Sequence, residues 1–304
     1  MQPTRFGNVM AATSFLIWGL LPLYYQYLPS PNMEELLALR IIGSVPFGLL
    51  VLWAMERKMP NFTEILADKR SLFFSGVAGI LMCVSWYAFT WAITNGQVLE
   101  ASLGFFITPI MVVALGVFIL KDKLTHGQTA AVVLAIIGIG YQIYHYGEVP
   151  YVALTMAIFF TFYGLCKKQV AFSPLTTLWL ESLILTPVAL AFMFYKSATT
   201  GSVAFSADPI TLLLYLGAAP VTLAPLVFYS IAVKHTTLSM VGLMQYIEPS
   251  LQFLLAVLLF AEPFDEIKAV GFGFIWLGLA ITTAEALAKR GPKQQGPKAP
   301  LPGA

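Results

Sequence analysis

Ten apolar runs alternate with short polar stretches along the chain, at about residues 6–28, 34–55, 71–93, 98–120, 127–144, 150–166, 175–195, 210–233, 237–260 and 267–288. At ~1.5 Å of rise per residue, each is long enough or nearly long enough to cross a hydrocarbon core of ~30 Å. The runs lack the period-two alternation of barrel strands. In lipid a backbone must satisfy its own hydrogen bonds, so each run is predicted to be a helix. The expectation is an all-α integral membrane protein with ten transmembrane helices. The longest hydrophilic stretch between runs, about 56–70, is too short for a soluble domain. Residues 289–304, KRGPKQQGPKAPLPGA, are rich in Pro, Gly and Lys and read as a disordered cytoplasmic tail.

Composition agrees with this pattern: 58% of residues are hydrophobic and 11% charged, and the mean hydropathy is +0.79. The net charge of +2 says less than where the charges fall. With the N-terminus inside, the cytoplasmic segments hold Arg5, Arg57, Lys58, Lys69, Arg70, Lys121, Lys123, Lys167, Lys168, Lys234, Lys289, Arg290, Lys293 and Lys298. Of the 17 Lys and Arg residues, that leaves only Lys196 and Lys268 outside and Arg40 within a span. The positive-inside rule therefore puts both termini in the cytoplasm and the protein in the cytoplasmic membrane.

The polar stretches KDKLTHG at 121–127 and AEPFDEI at 261–267 both follow an apolar run, yet they carry opposite charge. The explanation lies in the spacing. At an offset of 140, Ala92 meets Ala232, Ile107 meets Ile247, Pro109 meets Pro249, Leu115 meets Leu255 and Gly138 meets Gly278; at 141, Pro46 meets Pro187 and Arg40 meets Glu181. The unit is five spans, 6–146 repeated at 149–288. An odd number of spans makes the second unit enter the membrane inverted, as in many secondary transporters. KDKLTHG then ends the fourth span inside, and AEPFDEI ends the ninth outside.

The stretches SFLIWGLLPLYYQYLP, ELLALRIIGSVPF, VLEASLGFFITPI, LWLESLILTPVAL and GLMQYIEPSLQFLLAVLLFAEPF resemble the RarD group of EamA-type permeases in the drug/metabolite transporter superfamily. The resemblance covers essentially residues 6–288. It implies two inverted EamA repeats around a central cavity and, by direction, export. The chain departs from the group at Leu39, where a His commonly precedes the second-span arginine, and at Ser85, where Asn commonly precedes Trp86. It departs again at Glu248, where a small or neutral residue is expected.

Charges within spans are costly, ~2.5–3.5 kcal/mol at mid-membrane on insertion scales, and should face the bundle interior or water. Arg40, Glu100, Glu181 and Glu248 qualify. Counting along the helices separates Arg40 and Glu181 by roughly 12 Å along the membrane normal, too far for a direct salt bridge. Each is expected to line one of two symmetric vestibules or to bond a neighbouring helix. Glu100, near the outer end of the fourth span, is a candidate for the cavity or for a helix cap. Glu34 and Glu35 open the second helix and read as structural, favouring its positive end.

Glu248 falls near the midplane and shares one helical face with Gln245 and Gln252, at i, i+3 and i+7. That stripe either lines a cavity or bonds helices together; in a cavity, Glu248 is a candidate for proton coupling. Pro109 and Pro249 each free a carbonyl four residues earlier, at Phe105 and Gln245, and mark hinges or static bends. Trp18, Trp86, Tyr87, Tyr163 and Tyr246 lie inside spans as core packing or as walls for an aromatic or amphipathic solute.

Other classes lack their signatures. There is no G-x-x-x-x-G-K-[ST] phosphate loop, no H-E-x-x-H and no G-x-S-x-G. Cys83 and Cys166 lie in apolar runs, and His126, His145 and His235 are far apart, so neither a disulfide framework nor a metal site is expected. The expected function is a secondary permease for a small organic solute, with the lipid bilayer as its other partner and with no cofactor, metal, nucleic acid or catalysis. A regulatory or scaffold membrane protein is the alternative. Oligomeric state is not set by the sequence.

Overall fold

A computed structural model describes residues 3–25, 32–57, 59–95, 98–147, 151–206, 209–259 and 265–288. In chain order the helices are α1 (Pro3–Gly19), α2 (Leu21–Tyr25), α3 (Met33–Glu56), α4 (Phe62–Ala67), α5 (Lys69–Thr94), α6 (Val98–Phe118) and α7 (His126–Tyr146). They continue as α8 (Tyr151–Gln169), α9 (Pro174–Thr199), α10 (Val203–Ser206), α11 (Pro209–His235), α12 (Leu238–Gln245), α13 (Ile247–Leu258) and α14 (Glu266–Ala288). The described residues contain no strand. The expected tail at 289–304 lies outside them.

Among the described residues, 7 helical segments are long and apolar enough to cross a membrane: Thr4–Tyr24, Met33–Glu56, Lys69–Phe89, His126–Tyr146, Pro174–Thr199, Pro209–His235 and Glu266–Ala288. The three other apolar runs are helical as well: α6 (21 residues) and α8 (19 residues) are each single helices, and the ninth run is α12 followed by α13.

Helix ends follow local chemistry. Thr125 and Gln128 form a reciprocal capping box at the start of α7, and Gly147, at φ 77°, ends it in the left-handed region. Asn32 caps α3, and Ser173 followed by Pro174 starts α9.

Helices from the two halves pair across the bundle: α7 with α14, α3 with α9 and α6 with α12. The other main neighbours come in matched couples. α5 lies on α8 as α11 lies on α1, and α6 lies on α8 as α12 and α13 lie on α1. Exchanging each helix for the one about 140 residues away therefore preserves the neighbour pattern.

The α7 and α14 pair shows the relation at single residues. A Cβ on Gly138 would stand 2.8 Å from the Gly271 carbonyl oxygen, and one on Gly278 would stand 2.9 Å from the Ala131 Cα. Both contacts join the same two positions of the repeat, exchanged between halves. At one end, Thr125 Oγ1 and the Gly127 N–H donate to Glu285 Oε2 at 2.6 and 2.8 Å. At the other, the Tyr146 hydroxyl donates to Asp265 Oδ2 at 2.7 Å. The two helices are thus antiparallel, and the last turn of each is tied to the start of the other.

Contacts also sort the connecting segments into two ends of the bundle. At one end, Thr236 donates to Asn8 at 2.6 Å, Lys168 donates to the Thr236 carbonyl at 3.0 Å, and Arg70 donates to Gln169 at 2.8 Å. At this same end, the Ser239 N–H donates to Asp122 at 3.0 Å. These are segments that the charge pattern groups on one side. At the other end, the Asn32 N–H donates to the Tyr215 hydroxyl at 2.8 Å, and Lys196 pairs with Glu34 at 3.3 Å. Glu35 is fully buried; its carboxylate accepts from Ser202 Oγ and from the N–H groups of Val203 and Ala204 at 2.8–3.1 Å. Its role is structural, as expected, although the helix start it serves is that of α10.

Gly138→Val is expected to lower thermal stability in detergent by ~1–3 kcal/mol, because the backbone of Gly271 cannot yield as a side chain can. Gly278→Val should behave alike. Gly140→Val is the control, since a Cβ there meets nothing within 4 Å, and its unfolding temperature should stay near that of the parent.

Candidate functional site

The first turns of α3, the last turns of α5 and the middle of α11 line a small open cleft, formed by Met33, Leu36, Leu37, Arg40, Trp86, Phe89, Ala218 and Thr222. Its walls are mostly apolar. Arg40 is half-buried and lays its guanidinium over the Trp86 ring, with Cζ 3.9 Å from the centroid. Cation–π contacts of this kind are worth ~0.5–2 kcal/mol, more as water is removed. Phe89 stands edge-on to Trp86, their centroids 6.1 Å apart. Thr222 donates to the Ala218 carbonyl at 2.6 Å, which leaves its oxygen lone pairs directed away from the helix backbone.

The positions equivalent to Arg40 and Phe89 in the second half are Glu181 and Tyr229, and there the arrangement is closed. Glu181 in α9 accepts from Lys167 in α8 at 2.7 Å, with side-chain exposures of 8% and 2%. The ammonium also lies 5.3 Å from the centroid of Tyr163. Tyr163 stacks on Tyr229 at 5.8 Å and 16°, and Phe15, Trp18 and Phe160 surround Tyr229 at 5.4–6.2 Å. Trp18 Nε1 and the Tyr229 hydroxyl are buried without a hydrogen-bonding partner among the described residues. Trp86 packs against this same cluster, so the closed region lies directly behind the cleft.

A third feature is the interruption at Tyr246. α12 ends at Gln245 and α13 starts at Ile247, which puts Glu248 and Pro249 in the first turn of α13. Tyr246 itself keeps helical dihedrals, φ −62° and ψ −13°, so the interruption is a kink at which Pro249 withholds a backbone donor from the Gln245 carbonyl. Glu248 is 7% exposed, and its Oε1 accepts from Gln252 Nε2 at 3.4 Å. Gln245 is buried at 4%, and its Oε1 has no hydrogen-bonding partner among the described residues. The Tyr246 hydroxyl donates to the Phe106 carbonyl at 3.3 Å. Gly242 lets α12 approach α6 so closely that a Cβ would lie 2.8 Å from the Pro109 carbonyl oxygen.

Pro109 lies inside α6, and Pro249 follows the kink at Tyr246. Of the expected site residues, the structure brings Arg40 and Trp86 to the cleft. Trp18, Tyr163 and Glu181 belong to the closed region, and Gln245, Tyr246, Glu248 and Gln252 to the interruption. Tyr87 is 49% exposed and does not line the cleft. Glu100 is in the first turn of α6, and its side chain lies outside the described residues. Sequence reasoning missed Lys167, which reads as a topology marker, and the pair Phe89 and Tyr229, which the offset of 140 would have matched.

The EamA-like transporter family profile matches the chain twice, at residues 5–142 and 150–284. An uncharacterized transporter of Pseudomonas aeruginosa is 37% identical over 286 residues, covering 93% of this chain and 94% of the relative. Protein RarD of Escherichia coli is 35% identical, covering 94% and 96%. The uncharacterized transporter YojE of Bacillus subtilis is 35% identical, covering 92% and 94%. A solved crystal structure of 18% identity shares the fold, with a TM-score of 0.70 over 93% of this chain and 99% of that one. The class is a multi-pass membrane transporter. The chain belongs to the EamA-like transporter family and is of the RarD type within the drug/metabolite transporter superfamily.

Removing one member of a buried ion pair costs ~3–5 kcal/mol, whereas replacing both by apolar groups is often neutral. Lys167→Met alone and Glu181→Leu alone are each expected to lower the unfolding temperature of the detergent-solubilised protein markedly. The double variant should recover most of the loss; additive losses would show that the pairing is not what holds the two side chains.

Proposed function

We propose that the protein is a secondary permease of the cytoplasmic membrane, exporting a small organic solute by alternating access between two inverted five-helix halves, 6–146 and 149–288. The observation that carries this reading is the contrast between equivalent places. Arg40 and Phe89 line an open cleft, while Glu181 and Tyr229 are sealed by Lys167 and a ring of aromatics. Two halves with the same contacts but opposite access are what an exchange between an outward and an inward state requires.

Further support comes from the double family match, the antiparallel α7 and α14 pair and the gathering of basic segments at one bundle end. Ten crossings, with both termini cytoplasmic, follow if α6, α8 and the joined α12 and α13 also span the membrane. The kink at Tyr246, next to Pro249, fits the proline-interrupted segments that point to a transporter's binding region. Glu248, buried at that kink, is the group assigned to proton coupling. Export is the direction implied by the resemblance to the RarD group.

A thermal-shift screen nominates solutes, because a ligand that binds the folded state raises its apparent stability. In proteoliposomes, such a solute should show saturable flux driven by an imposed pH gradient. Glu248→Gln should abolish the pH-driven component and retain solute exchange. Proton dependence unchanged in Glu248→Gln would remove that residue from coupling, and absence of saturable flux for every stabilising solute would overturn the permease reading.

A further inference from the structure

Lys167, whose ammonium is 2.7 Å from the Glu181 carboxylate, lies in the last turn of α8. Next to it, Lys168 donates to the Thr236 carbonyl and Arg70 donates to Gln169, at the bundle end where basic segments gather. The ammonium also faces Tyr163, which belongs to one cluster with Trp18, Phe160 and Tyr229, and Trp86 of the cleft packs against that cluster. Cleft, aromatic cluster, ion pair and basic end thus follow one another through the bundle.

The pair has the properties of a movable contact. α8 and α9 do not pack extensively on each other; α5 and α11 each touch both, so the pair links two helices whose backbones are largely apart. Ions attract strongly in an apolar surrounding and weakly in water, which gives the contact two states, held when dry and released when wet. Trp18 Nε1 and the Tyr229 hydroxyl, buried without a hydrogen-bonding partner among the described residues, gain partners when water enters. The first half has no matching cation: offsets of 140 and 141 lead from Lys167 to Tyr27 and Gln26. We infer that Lys167 and Glu181 form the gate at the basic end of the solute path. Paired, they hold that end shut and leave the Arg40 cleft open; apart, they admit water and let the opposite end close. The gate rests on the permease reading for the path that it closes, and its strength sets the balance between the two states.

Two thiols report the two ends. Cys166 is native, 7% exposed and part of the aromatic cluster beside Lys167; Met33→Cys puts a thiol in the half-buried lining of the cleft. Each is followed alone, with the other native cysteines replaced by Ala, through its rate of alkylation by a polar maleimide in the purified full-length protein. Lys167→Met and Glu181→Gln should each raise the Cys166 rate about tenfold or more and lower the Met33→Cys rate, the reciprocal change of a population shift. The double variant Lys167→Met, Glu181→Leu keeps the region apolar and gives water nothing to release. Its Cys166 should react about tenfold more slowly than in the parent, with the Met33→Cys rate undiminished. That arm tests the gate even if a single variant fails to fold, because a merely structural pair predicts parent rates at both thiols once stability is restored. Rates rising together at both thiols in the single variants, no change at either, or a Cys166 rate in the double variant equal to or above the parent's would each overturn the inference. Liposome flux keeps the two readings apart. Reciprocal labelling without saturable flux of any stabilising solute supports the gate and counts against the permease; saturable flux with labelling unchanged in every variant does the reverse.

Discussion

In hydrocarbon, a helix gains little by exchanging lipid for another apolar helix, so the bundle depends on places where backbones come close enough to exclude both lipid and side chains. Gly138 against Gly271, Gly278 against Ala131 and Gly242 against the Pro109 carbonyl are such places. Each joins a helix of the first half to one of the second. In the α7 and α14 pair, the glycines sit at equivalent positions of the repeat, so one packing solution is used twice. Hydrogen bonds to Glu285 and Asp265 then fix the sliding position of that pair, because each binds a helix start whose N–H groups or capping side chain need a partner. Side chains between these contacts are positioned by them. The cleft at Arg40 and the sealed region at Glu181 are consequences of where the backbones touch.

The same scaffold holds two different contents, and the difference is one of enclosure. Arg40 is half-buried, with its guanidinium over the Trp86 ring beside a small cleft; Glu181 is buried with a lysine at hydrogen-bond distance, enclosed by tyrosines. A buried pair of this kind contributes little net stability compared with apolar residues of like size, since the desolvation of both ions offsets their attraction. What it does supply is dependence of each charge on the other. Separating Lys167 from Glu181 within the apolar ring is costly, whereas separating them with water at hand is not. The pair therefore favours a sealed state while water is excluded and loses its hold once the region is hydrated.

Much of this was legible in the sequence, and what was not has a physical reason. Apolar runs, basic loops and an offset of 140 rest on periodicity and on charge transfer into lipid, which act on every residue of a span; the helices and the pairing of the halves follow from them. Side-chain partners depend on rotation of one helix against another, which no single run encodes. Lys167 counts correctly as a basic residue near a helix end, and the same position on α8 brings it to Glu181. Arg40 and Glu181 do not meet each other: Arg40 lies over Trp86 of α5, and Glu181 pairs with Lys167 of α8. Tyr87 and Trp86 are adjacent in sequence and turn roughly 100° apart on α5, so only one of them can face the cleft.

Pro109 and Pro249 show where equivalence between the halves ends. Both prolines deprive a carbonyl four residues earlier of its partner, and at both places the helices α6 and α12 touch. In α6 the helix stays whole, and the neighbouring Phe106 carbonyl accepts from Tyr246 across the contact. In the second half the helix kinks at Tyr246, which keeps helical dihedrals while Pro249 withholds a donor from the Gln245 carbonyl. The residue that serves the first half by donating its hydroxyl is thus the residue at which the second half bends. Symmetry brings the two helices together at this contact, and the bend sets the buried Glu248 beside it.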